Sequence, residues 1–198
     1  KKFKKKKELL FISSGYPINQ YMYMPVRKKI LSSKFYNAEE ILLPKILKYC
    51  KKNNLKLVIR GRYVSSDNKE FLFFNKILGN NFSFLPRKKD DDYSTYTISD
   101  RYKYIACIDT SFGIEAICRH KKVAIFDIRY KLTNNLSARI LWPLNKNKIN
   151  FNLVAKNFSY KEVDRVLSNL IKSKKLNNLN NKIMNKLIIY DPGNKKFK

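Results

Sequence analysis

The chain has 198 residues, 44% of them hydrophobic and 29% charged, with a formal net charge of +28 at pH 7. That length and apolar content suit one globular domain and exclude a disordered polycation. Three cysteines without a C-x-x-C pair and a single histidine argue against a disulfide framework and a Cys/His zinc site, and no apolar run reaches membrane-spanning length.

After a lysine-rich start, Glu8–Ser13 reads as a strand. Its apolar part is too short for a signal peptide and has no cleavage-like site. Ser14-Gly15-Tyr16-Pro17 reads as a turn, and Tyr21–Pro25 as a loop rich in Tyr and Met. Asn37 and Glu40 have capping-box spacing and predict a helix start, with Leu42, Leu43, Ile46, Leu47 and Cys50 as its apolar stripe. Pro44 within that stripe implies a kink or a later start. Leu55–Ile59 is a second strand and Lys69–Leu78 a helix stopped by Gly79. Phe82–Leu85 is a third strand, ending at Pro86-Arg87. The acidic turn Asp90–Asp92 leads into a short helix within Tyr93–Arg101.

Tyr104–Ile108 is a short, β-branched strand, followed by the polar corner Asp109-Thr110-Ser111 and by a helix with Ile114, Ile117 and Cys118 on one face. Val123–Phe126 is the next buried strand. The pattern then loosens through Trp142-Pro143. Ser159 and Glu162 form a second capping box before Val163, Val166, Leu167, Leu170 and Ile171. A last helix is predicted from Leu176 to about Ile189, stopped by Asp191-Pro192-Gly193.

Strands alternating with helices imply an α/β domain over residues 1–198: a Rossmann-like, doubly wound parallel sheet of about five strands with C-terminal helices. In such sheets ligands bind beyond the carboxyl ends of the strands. Arg60-Gly61-Arg62, Pro86-Arg87 and Asp109–Gly113 are expected at that rim. Backbone N–H groups at Thr110, Ser111, Phe112 and Gly113 make a corner suited to phosphate, with Gly113 sparing room for a ligand. Guanidinium forks at Arg60, Arg62 and Arg87 match phosphate oxygens. Glu115, one turn into the helix, is placed for ribose hydroxyls, which makes a nucleotide the expected ligand. Solvated loop arginines and ordinary Ser/Thr caps are the plainer account of the same residues.

The charge itself carries little. Lysine outnumbers arginine, and with abundant Asn and Ile it follows AT-rich codon supply. Most lysines read as solvated surface with weak attraction to an anionic membrane surface or to nucleic acid. The free cysteines fit a reducing cytoplasm, and the expected place is the cytoplasm or the inner face of the membrane.

Leu57-Val-Ile-Arg-Gly-Arg62, Phe84-Leu-Pro-Arg87, Ile108-Asp-Thr-Ser-Phe-Gly-Ile-Glu-Ala116 with Lys122-Val-Ala-Ile-Phe126, and Tyr190-Asp-Pro-Gly-Asn194 stand in order along the chain. In this set the chain resembles the bacterial surface carbohydrate biosynthesis proteins, transferases of GT-B glycosyltransferase type. The resemblance implies the C-terminal, donor-binding half of a two-domain enzyme. Its substrate would be a nucleotide-sugar held without metal or cofactor, with Phe84, Leu85 and Pro86 bordering the base. It also implies an N-terminal acceptor domain or partner chain carrying the catalytic base, so no catalytic residue is assigned in this chain. Phe112 and His120 depart from the family pattern, which has a small residue and a glycine at those places.

Two other functions remain open on the sequence. A sugar-nucleotide epimerase-like enzyme would isomerise its donor instead of releasing a nucleotide. A non-enzymatic basic module would bind polyanions with a steep salt dependence and no nucleotide preference.

Overall fold

A computed structural model of the chain describes residues 7–15, 26–64, 68–87, 94–108, 110–119, 121–133, 153–155 and 157–172. The lysine-rich start, the Tyr21–Pro25 loop, Asp90–Asp92, Asp109, His120, Trp142-Pro143 and the predicted last helix with its stop lie outside these residues.

The elements in chain order are β1 (Glu8–Ile12), α1 (Val26–Lys52), β2 (Lys56–Val64), α2 (Lys69–Leu78), β3 (Ser83–Arg87) and α3 (Ser94–Asp100). There follow β4 (Tyr104–Ile108), α4 (Ser111–Cys118), β5 (Val123–Phe126), α5 (Arg129–Thr133), β6 (Val154–Ala155) and α6 (Tyr160–Lys172). All strand pairs are parallel, in the order β3-β2-β1-β4-β5-β6, a Rossmann-like α/β sheet.

Alternation along the strands feeds two apolar layers. Leu9, Phe11, Leu57, Ile59, Ala106, Ile108 and Phe126 meet Leu42, Leu43 and Ile46 of α1, Phe74 of α2, and Val163, Val166, Leu167 and Leu170 of α6. On the opposite face Leu10, Ile12, Val58, Ile105, Cys107 and Ile125 meet Tyr96 and Ile98 of α3 and Phe112 and Ala116 of α4. Helices therefore cover both faces. Among the described residues no helix is long and apolar enough to cross a membrane.

Several local expectations change. Asn37 and Glu40 do not begin α1, which starts at Val26, because no Gly or Pro between them interrupts the helix. Pro44 sits inside α1 on its exposed side, where water can serve the carbonyl that loses its N–H partner. β2 runs on to Val64, so Arg60-Gly61-Arg62 belongs to a strand instead of a loop. A sixth strand of two residues, Val154–Ala155, extends the sheet beyond β5. Gly79 does stop α2: it takes φ 59°, and its N–H bonds Asn75 O at 2.8 Å. Ser159 caps α6, its hydroxyl accepting the Glu162 N–H at 3.2 Å.

Candidate functional site

The strand order reverses direction between β1 and β4, and this switch point is where open parallel sheets form a crevice at their carboxyl edge. Ile12 pairs with Cys107, so Ser13–Gly15 and Thr110–Ser111 leave the sheet side by side. Gly15 turns the chain at φ 114°, a conformation that L side chains rarely adopt.

The turn is held from below by Glu39, a side chain the sequence pattern did not single out. Glu39 is fully buried on α1. One of its oxygens accepts the Ser14 N–H at 2.7 Å and the Ser14 hydroxyl at 2.8 Å; the Ser13 hydroxyl donates to the other at 3.1 Å. Ser13 Oγ in turn accepts the Gly15 N–H at 2.9 Å. Arg129 of α5, also buried, donates to Ser14 Oγ. Burial pushes the Glu39 carboxyl up from 4.5 to about 7, while the Ser14 N–H and hydroxyl, then Arg129, then Ser13 pull it down.

The two arginines of β2 take different places. Arg60 is 1% exposed and lies on the α3 face, where its guanidinium donates to the carbonyls of Leu85 and Pro86 and to Ser94 Oγ. It braces β2, β3 and α3 together. Arg62 is exposed and its Nη1 donates to Ser14 O at 2.5 Å, so it reaches the β1 turn. The glycine between them is a packing requirement. A Cβ on Gly61 would stand 2.5 Å from Glu70 Oε2 and 2.7 Å from Phe84 Cζ. The space left lets Glu70 accept the Arg62 N–H at 2.9 Å.

Thr110 is the N-cap of α4, with extended φ and ψ and no side-chain cap bond. Its Oγ1 is buried and has no hydrogen-bond partner among the described residues. Ser111 is exposed at the helix's first position, while Phe112 packs into the core 5.4 Å from the Tyr96 ring. Gly113 does not open the corner to a ligand: a Cβ there would stand 2.6 Å from Cys107 Sγ, so the missing side chain lets α4 lie close on β4. The Gly113 N–H bonds Thr110 O at 3.0 Å, which leaves Ser111 and Phe112 to present the first amides of the helix.

Glu115 accepts a hydrogen bond from the Tyr96 hydroxyl, and the Arg119 guanidinium lies over that ring at 5.4 Å. Phe84 faces α2 in an aromatic group with Phe71 and Phe74, Leu85 packs on the α3 face, and Pro86 is exposed. Arg87 ends β3, half-buried, in register with Val64. The structure thus joins Arg62 to the unforeseen Ser13, Ser14, Glu39 and Arg129 at the end of β1, with Thr110 and Ser111 following the neighbouring strand β4. Arg60 and Phe84–Arg87 stand along the β2–β3 side of the same edge, and Glu115 lies between α3 and α4.

A sequence signal for Glu39 did exist. It shares a helical stripe with Leu42, Leu43, Ile46 and Cys50, all buried, which is an unusual place for a carboxylate without a partner.

No curated protein matches the sequence. A family model matches residues 1–198, and its description reads "putative O-antigen biosynthesis protein". The chain belongs to this family of O-antigen biosynthesis proteins, and so to surface carbohydrate biosynthesis.

Proposed function

We propose that this chain is the nucleotide-sugar donor-binding domain of a glycosyltransferase that builds a surface polysaccharide, one half of a GT-B-type enzyme. The observation that supports the reading is the switch point between the parallel neighbours β1 and β4, where the Ser-Ser-Gly turn bonded by Arg62 follows β1 and the amino end of α4 follows β4. Helix amides and a guanidinium at a switch point suit a diphosphate. Family membership supports the carbohydrate side of the reading.

On this reading the diphosphate lies over Ser13–Gly15 and receives the Ser111 and Phe112 N–H groups, the Thr110 hydroxyl and Arg62. Arg87 and the exposed Pro86 flank the nucleoside, and Glu115, held by Tyr96, accepts ribose hydroxyls. As the glycosidic bond to the donor phosphate breaks, charge grows on the leaving diphosphate, and these fixed donors stabilise it. Arg60 keeps the β3 rim in place without touching the ligand. A second domain or partner chain brings the acceptor and the base.

A thermal-shift panel of nucleoside diphosphates and nucleotide-sugars tests this, because a ligand that binds only the folded state raises its apparent stability. One base should give a saturable rise that Ser111→Pro and Arg62→Ala diminish. A flat panel would remove the donor-binding role.

A further inference from the structure

Ser14 joins three charged side chains. Its N–H and hydroxyl go to Glu39, its hydroxyl oxygen accepts from Arg129, and its carbonyl accepts from Arg62. Among the described residues, the groups around Glu39 come from β1, α5 and β2. β1 offers the hydroxyls of Ser13 and Ser14, α5 offers Arg129, and β2 reaches Ser14 through Arg62. On α1 the neighbouring Glu40 is exposed, and Asp127, just ahead of α5, is buried. Two cations thus face one buried carboxylate through a single serine, at the mouth of the switch point.

We propose that anion binding at this switch point is coupled to protonation of Glu39, which acts as a positioning residue beneath the turn and does not touch the ligand. The inference rests on the anion site of the preceding reading. An anion drawn to Arg62, whose guanidinium bonds the Ser14 carbonyl, adds negative charge beside a carboxylate that burial already disfavours. Of the two, the buried group gives way by taking a proton from solvent onto one carboxyl oxygen. The protonated carboxyl still accepts the Ser14 N–H, and the turn keeps its shape. By linkage, the affinity for the anion rises as pH falls through the neutral range, since the folded carboxyl titrates at about 7.

The test uses P1,P2-dimethyl diphosphate, whose charges do not titrate between pH 6 and 8, so that base and sugar drop out. Its dissociation constant is read by NMR shift titration on the full chain at pH 6, 7 and 8. The wild type should weaken on the order of tenfold from pH 6 to 8, and Glu39→Gln should hold one affinity throughout. Equal pH profiles in the two proteins, or a flat wild-type profile with binding present, would overturn the coupling while leaving the anion site standing. Absence of binding at every pH would overturn the anion site, and the coupling with it. Should Glu39→Gln not fold, the carboxyl ¹³C resonance of Glu39 in the wild type decides between the outcomes. Its midpoint should rise when the probe is added, and an unmoved midpoint at saturating probe would overturn the coupling.

Discussion

Ser14 donates twice to the same oxygen of Glu39, from its backbone at 2.7 Å and from its hydroxyl at 2.8 Å. A helix residue and a strand-end turn 25 positions apart are thereby locked together beneath the switch point. The lock has a cost, because α1 must bury a carboxylate to make it.

That cost depends on pH. The folded Glu39 carboxyl titrates at about 7, above its ordinary 4.5, so the folded chain holds a proton that the unfolded chain releases across that window. Its stabilising contribution is complete below 4.5 and is lost as pH rises through 7. Denaturant unfolding of wild type and Glu39→Gln across pH 4 to 8 should show their difference shifting by about 3 kcal/mol in favour of the variant. A constant difference would mean that burial does not shift the Glu39 carboxyl from its ordinary 4.5.

The two β2 arginines should separate cleanly. Arg60→Ala strands the Leu85 and Pro86 carbonyls and empties a buried site, and should lower unfolding stability by about 3 kcal/mol. Arg62→Ala removes an exposed side chain and should cost about 1 kcal/mol or less in urea unfolding, yet weaken nucleotide binding clearly. The reverse pattern would place Arg60 at the ligand.

Gly113→Ala should destabilise the chain by about 1–3 kcal/mol, because its Cβ meets Cys107 Sγ at 2.6 Å. Ile125 lies 3.5 Å away, an ordinary contact, so the sulfur is the obstacle. Adding Cys107→Ala should therefore recover part of the loss. The measurement is a double-mutant cycle by urea unfolding, and strict additivity would mean that helix and strand relax apart.

Glu115→Gln should weaken nucleoside binding with little change in melting temperature, since the carboxylate is only half-buried. Tyr96→Phe removes the hydroxyl that orients it and should give a smaller loss in the same direction. Unchanged affinity in both variants, by calorimetry, would leave Glu115 as a helix residue alone.

The central strands were legible because β1, β4 and β5 are buried on both faces and read as unbroken apolar runs. The sequence pattern ends β2 early because Arg60 and Arg62 look like loop residues, and the partners supplied by β3, α3 and the β1 turn come from distant parts of the chain. β6 has two residues, too few for any period to register. Of the site, the corner at Thr110–Ser111 could be read locally. Glu39 carried a local signal in its apolar stripe, but its partners did not, because Ser14 and Arg129 bond each other across 115 positions. The glycines at 61 and 113 were legible, but the side chains they make room for, Glu70, Phe84 and Cys107, lie elsewhere in the chain.

The position of β1 has a consequence for how the molecule is born. Among the described strands the first in chain order lies in the middle of the sheet, flanked by β2 and β4. During synthesis β1, β2 and β3 can assemble early, but one edge of β1 keeps an open row of N–H and C=O groups until residues 104–107 emerge. Such an edge invites pairing with another nascent chain, and parallel pairing over long sequence separations is slow. The crevice comes into being only when β4 docks there. The β1–β4 seam thus joins the early half of the sheet, β3-β2-β1, to the half that follows it in the chain, β4-β5-β6.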